Sequence, residues 1–192
     1  MFDHEKTILQ KPNNAEYRNI IWSSVIFHKN LPFLEFLFDT GAISKEDLNR
    51  PDNTDRTLLH KAAYYGWLEG VQSLCKNGAS VDLRDRGGAT PVCLAARNGY
   101  VEVVRFLVEE CNADFNIANK YGYTAVSIAV RKGDLRIVKW FIENGYVKLD
   151  YRDVKGRSLL EVAKKQELGV TPERSEKTAV VAAYLESIGA VE

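Results

Sequence analysis

The side chains best suited to catalysis or metal binding are few in this chain and stand far apart. It has three histidines and three cysteines, and no two cysteines form the CxxC pair of a zinc or redox motif. A metal ion needs several converging ligands, and neither His4 nor His28 has a Cys or His partner at ligand spacing. We therefore predict no metal site, no cofactor and no disulfide framework.

Sequence motifs of the common enzyme classes are also missing. The chain contains no GxSxG nucleophile elbow, no P-loop and no HExxH zinc motif. The glycine-rich GGAT at Gly87 lacks the GK[ST] that completes a phosphate cradle. Because the sequence nominates no positioned nucleophile, base or metal, we predict that the protein is not an enzyme.

Composition and charge narrow the class of protein further. The 192 residues include 26 Lys or Arg and 26 Asp or Glu, so the formal net charge is zero. This balance gives no overall attraction to nucleic acid or to an anionic membrane. The acidic N-terminus lacks the apolar segment of a secretory signal, and no stretch is apolar enough to cross a membrane. We expect a cytoplasmic protein, with the nucleus as a second location.

Internal repetition dominates the middle of the chain. Three similar segments start 33 and then 34 residues apart, at Thr57, Thr90 and Thr124. Nine residues after each threonine comes a glycine, at Gly66, Gly99 and Gly133. Each unit closes on a residue with a side-chain carbonyl, at Asp82, Asn116 and Asp150. A period of this length is typical of stacked repeat proteins.

The segments TLLHKAAYYG, TPVCLAARNG and TAVSIAVRKG resemble the TPLH signature of the ankyrin repeat. The resemblance is strong over residues 53–153, and it implies an all-α solenoid of helix-turn-helix units with short turn or β-hairpin tips. The residues support this independently: each threonine suits a helix N-cap, and each glycine suits the end of that helix. Apolar residues then recur at helical spacing in a second helix. Each unit can bury this apolar face only by stacking on a neighbour.

The repeat pattern divides the chain into an N-terminal segment and five units. These are the segment 1–16, a degenerate capping repeat with its connection over 17–52, three regular repeats over 53–85, 86–119 and 120–153, and a degenerate capping repeat over 154–192. Leu34 and Leu37 are expected at buried positions of the first unit. Ser158 replays the threonine motif in the last unit, whose final helix is predicted over 178–188. Pro172 favours an inserted loop over 166–177.

His60 occupies the histidine position of the ankyrin signature. The resemblance implies that its side chain forms hydrogen bonds within and between repeats. Equivalent positions in the other units hold Cys93, Ser127 and Glu161, so no cluster of metal ligands arises. Cys75 is expected to be a small core residue, whereas Cys111 lies at a one-residue lengthening and is a candidate for exposure.

A partner site is also implied by the resemblance. Ankyrin arrays bind partners on a concave face formed by the turn tips and the exposed side of the inner helices. Transferred position by position, that face comprises what we call the basic strip: Arg56, Lys61, Tyr64, Tyr65, Arg86, Arg97, Asn98, Lys120, Tyr121, Tyr123, Arg131, Lys132, Arg157 and Lys165. Tyr and Arg are enriched in binding hot spots, and positive charge speeds encounter with an acidic partner. We expect the acidic residues to lie elsewhere, since the net charge is zero.

We predict a protein–protein interaction module that binds an acidic or phosphorylated protein or peptide, as a monomer. Three alternatives stay open. The first is that the strip is a merely solvated face, with some tyrosines packed between turn tips, and the second is that it binds nucleic acid. The third is a dedicated chaperone or inhibitor that buries a large part of one partner, which a contiguous apolar surface would favour. Neutral net charge and the lack of a nucleic-acid motif weigh against the second. The resemblance also makes Asn116 a candidate for asparagine hydroxylation, although Val108 stands where the usual upstream leucine is expected.

Overall fold

Residues 24–165 and 171–190 are the part of the chain that the computed structural model describes. Residues 24–27 are helical, and ten further helices follow. In chain order these are α1 (Leu31–Asp39), α2 (Lys45–Leu48), α3 (Leu58–Tyr64), α4 (Leu68–Lys76), α5 (Pro91–Asn98), α6 (Val101–Glu109), α7 (Ala125–Lys132), α8 (Leu135–Glu143), α9 (Leu159–Lys164) and α10 (Pro172–Ser187).

The helices stack in two layers. An inner layer is formed by α3, α5, α7 and α9, in which each helix packs on the next, and an outer layer by α1, α4, α6, α8 and α10. The described residues contain no β-strand, and the turn tips hold only an isolated bridge between Arg152 and Ser158. The predicted all-α solenoid is therefore confirmed.

Helix ends follow the repeat pattern. The N-caps of the four inner helices are Thr57, Thr90, Thr124 and Ser158. Gly99 and Gly133 end α5 and α7 in the left-handed conformation, at φ 76° and 73°. In the lengthened third repeat, Asn112 takes this conformation after α6, at φ 53°. Asparagine is among the few residues with a side chain that adopt it readily.

The core lies between the layers. The apolar residues at helical spacing in the outer helices are fully buried at Val71, Leu74, Val104, Leu107, Val138 and Phe141. Leu34 and Leu37 of α1 are buried as predicted, which places the first unit in the same stack. The connection after α1 contains the short helix α2, whose N-cap Ser44 shares a capping box with Asp47.

The last helix differs from the prediction. A loop was expected over 166–177, but α10 already begins at Pro172, so the loop prediction is wrong for residues 172–177. Proline is well accommodated in the first turn of a helix, because the N–H that it lacks has no helical partner there. Thr171 caps this turn by accepting a hydrogen bond from the Arg174 N–H. Residues 166–170 lie outside the described residues.

Candidate functional site

An acidic or amide side chain organises every turn tip beside the inner helices. In Asp52, Asp85, Asn119 and Asp153, the Oδ1 atom accepts hydrogen bonds from the backbone N–H groups two and four residues later, over 2.8–3.1 Å. These residues fix the tips that present the basic strip. These four residues were not predicted from the sequence, although each stands five residues before an N-cap.

Three cations of the basic strip are paired with these carboxylates. Arg56 binds Asp85 at 3.2 Å, Lys61 binds Asp52 at 3.0 Å, and Arg157 binds Asp153 at 2.5 Å. The expectation that acidic residues lie away from the strip is therefore wrong at the tips. The reason is that a tip needs a side-chain acceptor for its own backbone, and a carboxylate supplies one.

Two of the tip carboxylates, Asp52 and Asp153, are held in their charged form. Burial acts to raise the pKa of Asp52, but hydrogen bonds from Thr54, Lys61 and Arg56 together outweigh it and leave the pKa below its ordinary value. The pKa of Asp153 is lowered by the same balance, in which burial is outweighed by Arg157 and by backbone donors. Arg56, Lys61 and Arg157 thus serve the fold as well as the surface.

Tyr123 departs from the prediction of an exposed contact residue. It is only 8% exposed. Two guanidinium groups lie over its ring, that of Arg131 at 4.9 Å and that of Arg157 at 4.3 Å from the ring centroid. Such cation–π contacts fix both arginines in place. Tyr123 is therefore a packed residue that supports the strip. This agrees with the alternative that some of the tyrosines are packed and not exposed for contact.

Other members of the strip are positioned by contacts across repeats. Asn98 donates to the Tyr64 carbonyl at 2.8 Å, and Arg86 donates to the Asn53 carbonyl. The Arg56 guanidinium lies 5.3 Å from the centre of the Tyr64 ring. Tyr121 projects with 67% of its surface exposed.

Several cations of the strip are open to an incoming group. Lys120, Lys132 and Lys165 are exposed and Arg97 is half-buried. With respect to the residues that the structure describes, Arg97, Lys120 and Lys132 form no ion pair. Their charge is thus not neutralised internally by the described part of the chain.

Arg97, Arg131, Lys132 and Arg174 form what we call the cationic cluster. Arg174 joins it from α10, where its Nε donates to the Arg131 carbonyl at 3.1 Å. Partial burial, together with repulsion from Arg174, Arg97 and Arg131, lowers the pKa of Lys132. Arg174 was not predicted as part of this surface, because it falls in the loop that was expected over 166–177.

Phe27 and His28 extend the strip at the other end of the array. Phe27 is 67% exposed and meets Tyr65 edge-on, with ring centroids 6.2 Å apart. The two residues line a cleft of about 520 Å³ together with Arg56, Tyr64 and Tyr65. Transfer of the ankyrin contact positions could have identified Phe27 and His28. Val25 and Ile26 align with the alanine pair that precedes Tyr64, so Phe27 and His28 align with Tyr64 and Tyr65.

His60 joins the second and third repeats. It is fully buried, its Nδ1 accepts from the Thr57 N–H at 3.2 Å, and its Nε2 lies 3.2 Å from the Ala89 carbonyl. This pattern requires the neutral ring with its proton on Nε2. Hydrogen bonding within and between repeats, as the resemblance implied, is confirmed.

We expect the free energy of unfolding to decrease as the pH falls below 6.5 because of His60. Burial lowers the pKa of His60 from its ordinary 6.5, although the Ala89 carbonyl and Asp85 oppose this. As the pH falls, the unfolded chain therefore binds a proton at this histidine before the folded chain does. Stability that is present above pH 6.5 is lost as the pH falls below it. Urea titrations at pH 7.5 and 5.5 measure the decrease. His60→Gln should remove part of it, and an equal decrease in that variant would contradict the assignment.

The remaining candidate residues lie at separate places. Cys93 is buried, and its Sγ lies 3.7 Å from the Ile117 carbonyl. Cys75 and Cys111 are half-buried free cysteines. Within residues 24–165 and 171–190, no three His, Cys, Asp or Glu side chains are grouped to hold a metal ion. Asn116 is exposed, and its hydroxylation stays a prediction.

Comparison with known proteins decides the family. Residues 20–119 match the family model for ankyrin repeats in three copies, and residues 121–154 match the single ankyrin repeat. The chain is an ankyrin-repeat protein. Apart from Lys120, the matched ranges include the members of the basic strip from Arg56 to Lys132.

Curated relatives match this ankyrin-repeat protein over shorter stretches. Cyclin-dependent kinase inhibitor 2A of Monodelphis domestica is 44% identical over 86 residues, which are 44% of this chain and 48% of that protein. Protein phosphatase 1 regulatory subunit 27 of Mus musculus is 41% identical over 61 residues, or 32% and 39% of the two chains. The probable 26S proteasome regulatory subunit p28 of Saccharomyces cerevisiae is 36% identical over 78 residues, or 41% and 33%. The chain thus spans less than half the length of each.

These findings support a protein–protein interaction module. The family is built from ankyrin repeats, and two of these relatives are named as regulatory subunits and one as an inhibitor. In the described part of the ankyrin array, no helix is both long and apolar enough to span a membrane.

Proposed function

We propose that this ankyrin-repeat protein binds an acidic or phosphorylated protein or peptide along the basic strip. It would act as a monomeric adaptor, scaffold or inhibitor, without catalysis, in the cytoplasm or nucleus. The observation that carries the proposal is the set of open cations at Arg97, Lys120 and Lys132. Arg97 and Lys132 lie in the last turns of α5 and α7, Lys120 lies on a turn tip, and no described residue neutralises them.

The positive charge of the strip is most concentrated at the cationic cluster. Arg97 and Lys132, which form no ion pair with a described residue, lie beside Arg131 and Arg174, and an approaching anion would offset the repulsion that lowers the pKa of Lys132. Arginine recognises carboxylate and phosphate through a planar fork of donors, which suits an acidic or phosphorylated side chain. The exposed aromatic rings of Phe27, Tyr65 and Tyr121 offer apolar contact area along the same strip.

We expect charge reversal at Arg97, Lys120 and Lys132 to abolish capture of the partner from a cell lysate. Association should slow by about tenfold or more, because positive charge steers the encounter. The structure favours this triple variant over one that includes Arg131, since Arg131 packs on Tyr123 and its loss would disturb the fold. The measurement is mass spectrometry of the proteins retained by each immobilised variant.

The matched control reverses the same number of charges outside the strip, at Lys76, Arg105 and Lys148, all of which are exposed. A protein retained by wild type and by this control, but lost from the strip variant, would agree with the proposal. Equal retention by all three proteins would contradict the strip as the site. Recovery of nucleic acid in place of protein would contradict the class of partner.

A further inference from the structure

The last turns of the inner helices α5 and α7 lie side by side. Arg97 is the seventh residue of α5, Arg131 is the seventh residue of α7, and the two helices pack on each other. Their ends are held in register by Arg136, whose Nη2 donates to the Gly99 carbonyl at 3.2 Å. Because packed helices lie about 8–10 Å apart, Arg97 and Arg131 are neighbours on one surface, and Lys132 follows Arg131 directly.

The last helix brings Arg174 to the same place. α10 has 16 residues, whereas α4, α6 and α8 have nine each. Both α8 and α10 end two residues before a glycine, so the added residues of α10 lie at its beginning. This beginning packs on α7: a Cβ on Gly133 would lie 2.4 Å from the Lys177 Cβ, and Arg174 Nε donates to the Arg131 carbonyl at 3.1 Å. The cationic cluster is therefore assembled from three helices.

The charges of Arg97 and Lys132 are available to an anion from outside. Neither residue forms an ion pair within the described part of the chain. Two carboxylates stand near the cluster in sequence, Asp134 and Glu173, and both are paired with other cations, at 3.0 and 2.6 Å. Lys132 is exposed and Arg97 is half-buried, so both are accessible to a partner side chain.

We propose that the cationic cluster binds one phosphorylated side chain of the protein partner, a phosphomonoester, which rests on the proposed function of the basic strip. A phosphorylated side chain carries a charge of about −1.5 to −2 at pH 7 and three strong acceptor oxygens. A carboxylate carries one charge on two oxygens, and a single arginine can satisfy it through two parallel hydrogen bonds. Cations that approach from three helices therefore suit the phosphoryl group better than a carboxylate.

The distribution of charge favours a single phosphoryl group over a nucleic-acid backbone. A nucleic acid presents a continuous row of phosphates and is bound by many cations along that row. Elsewhere on the strip, Arg56, Lys61 and Arg157 are paired with the aspartates of the turn tips. The positive charge that is left for a ligand is thus concentrated at the cluster.

The direct test titrates the isotope-labelled full-length protein with the peptide acetyl-Gly-phosphoserine-Gly-amide and follows the backbone amide resonances. Shifts should be confined to the amides of residues 96–98, 130–133 and 173–175. The matched peptide with glutamate in place of phosphoserine should bind about tenfold more weakly or less, because it has fewer charges and acceptors.

Paired variants assign the binding to the cluster. Arg97→Gln combined with Lys132→Gln should weaken binding of the phosphoserine peptide by about tenfold or more, because charge-assisted hydrogen bonds are lost. Lys76→Gln combined with Lys148→Gln removes two exposed cations outside the strip and should bind the peptide as wild type does. The inference is overturned if the phosphoserine peptide causes no shifts, binds no better than the glutamate peptide, or is weakened equally by both variants.

Capture from cell lysate separates this inference from the proposed function. Immobilised wild type should retain a partner from untreated lysate and lose it after the lysate is treated with a broad-specificity phosphatase. A partner that is retained after this treatment, yet lost from the variant reversed at Arg97, Lys120 and Lys132, would overturn the phosphoryl inference and leave the proposed function standing. Equal retention by wild type and that variant would contradict the proposed function itself.

Discussion

Phe141→Ala should lower the free energy of unfolding by about 3–5 kcal/mol. Phe141 is the largest of the fully buried side chains and lies on α8 at the centre of an aromatic group. Its ring centroid is 5.2 Å from that of Phe115 and 4.8 Å from that of Trp140. Removal of the ring leaves a cavity that the surrounding helices fill only in part. A loss of this size is a large fraction of the 5–15 kcal/mol that is typical of a folded domain.

Urea denaturation measures this loss, and hydrogen exchange locates it. Because each repeat contacts only its neighbours, amides of α7 to α10 should lose protection while those of α3 and α4 keep it. Tyr121→Ala is the matched control, since that aromatic ring is 67% exposed and its removal should change stability by about 0.5 kcal/mol or less. Similar losses in the two variants would contradict the assignment of the core.

Gly133→Ala should lower the free energy of unfolding more than Gly145→Ala does, although the two glycines have nearly the same φ angle. Their φ angles are 73° and 72°, so each alanine costs about 1–2 kcal/mol in the left-handed conformation. A Cβ on Gly133 would also lie 2.4 Å from the Lys177 Cβ and 2.7 Å from the Lys177 backbone carbon. A Cβ on Gly145 would have no described atom within 4 Å beyond its own chain neighbours. Displacement of α10 should therefore add about 1–3 kcal/mol at Gly133 alone.

The two glycine variants are compared by urea denaturation, and by hydrogen exchange in α10. The Gly133 variant should lose protection from Pro172 onward, which would also displace Arg174 from the cationic cluster. Protection in the Gly145 variant should be as in wild type. Equal destabilisation by the two alanines would show that α10 does not pack against the Gly133 turn as the structure has it.

The sequence was sufficient to predict the layers of the array. Threonine caps, terminal glycines and apolar residues recur at a constant period, so the helices and their buried faces follow from local rules. His60 was assigned correctly for the same reason, since its partners lie at fixed offsets in its own repeat and the next. Leu34 and Leu37 show that the pattern survives in a degenerate repeat.

Other features depend on contacts between repeats or on the context of a single residue. The burial of Tyr123 follows from two arginines that come from different segments of the chain. Pro172 was interpreted as a loop residue, but the same residue type is equally suited to the first turn of a helix.

The central claim is that a protein partner binds along the basic strip. The most direct test is photo-crosslinking in cell lysate from one position on the strip and one position on the outer layer of helices. One variant carries benzoylphenylalanine in place of Tyr121 on the basic strip, and the other carries it in place of the exposed Gln72 on the outer helix α4. We predict a protein adduct from position 121 and none from position 72, with the adduct at 121 weakened by high salt. An adduct from position 72 alone would contradict a partner-binding site on the basic strip.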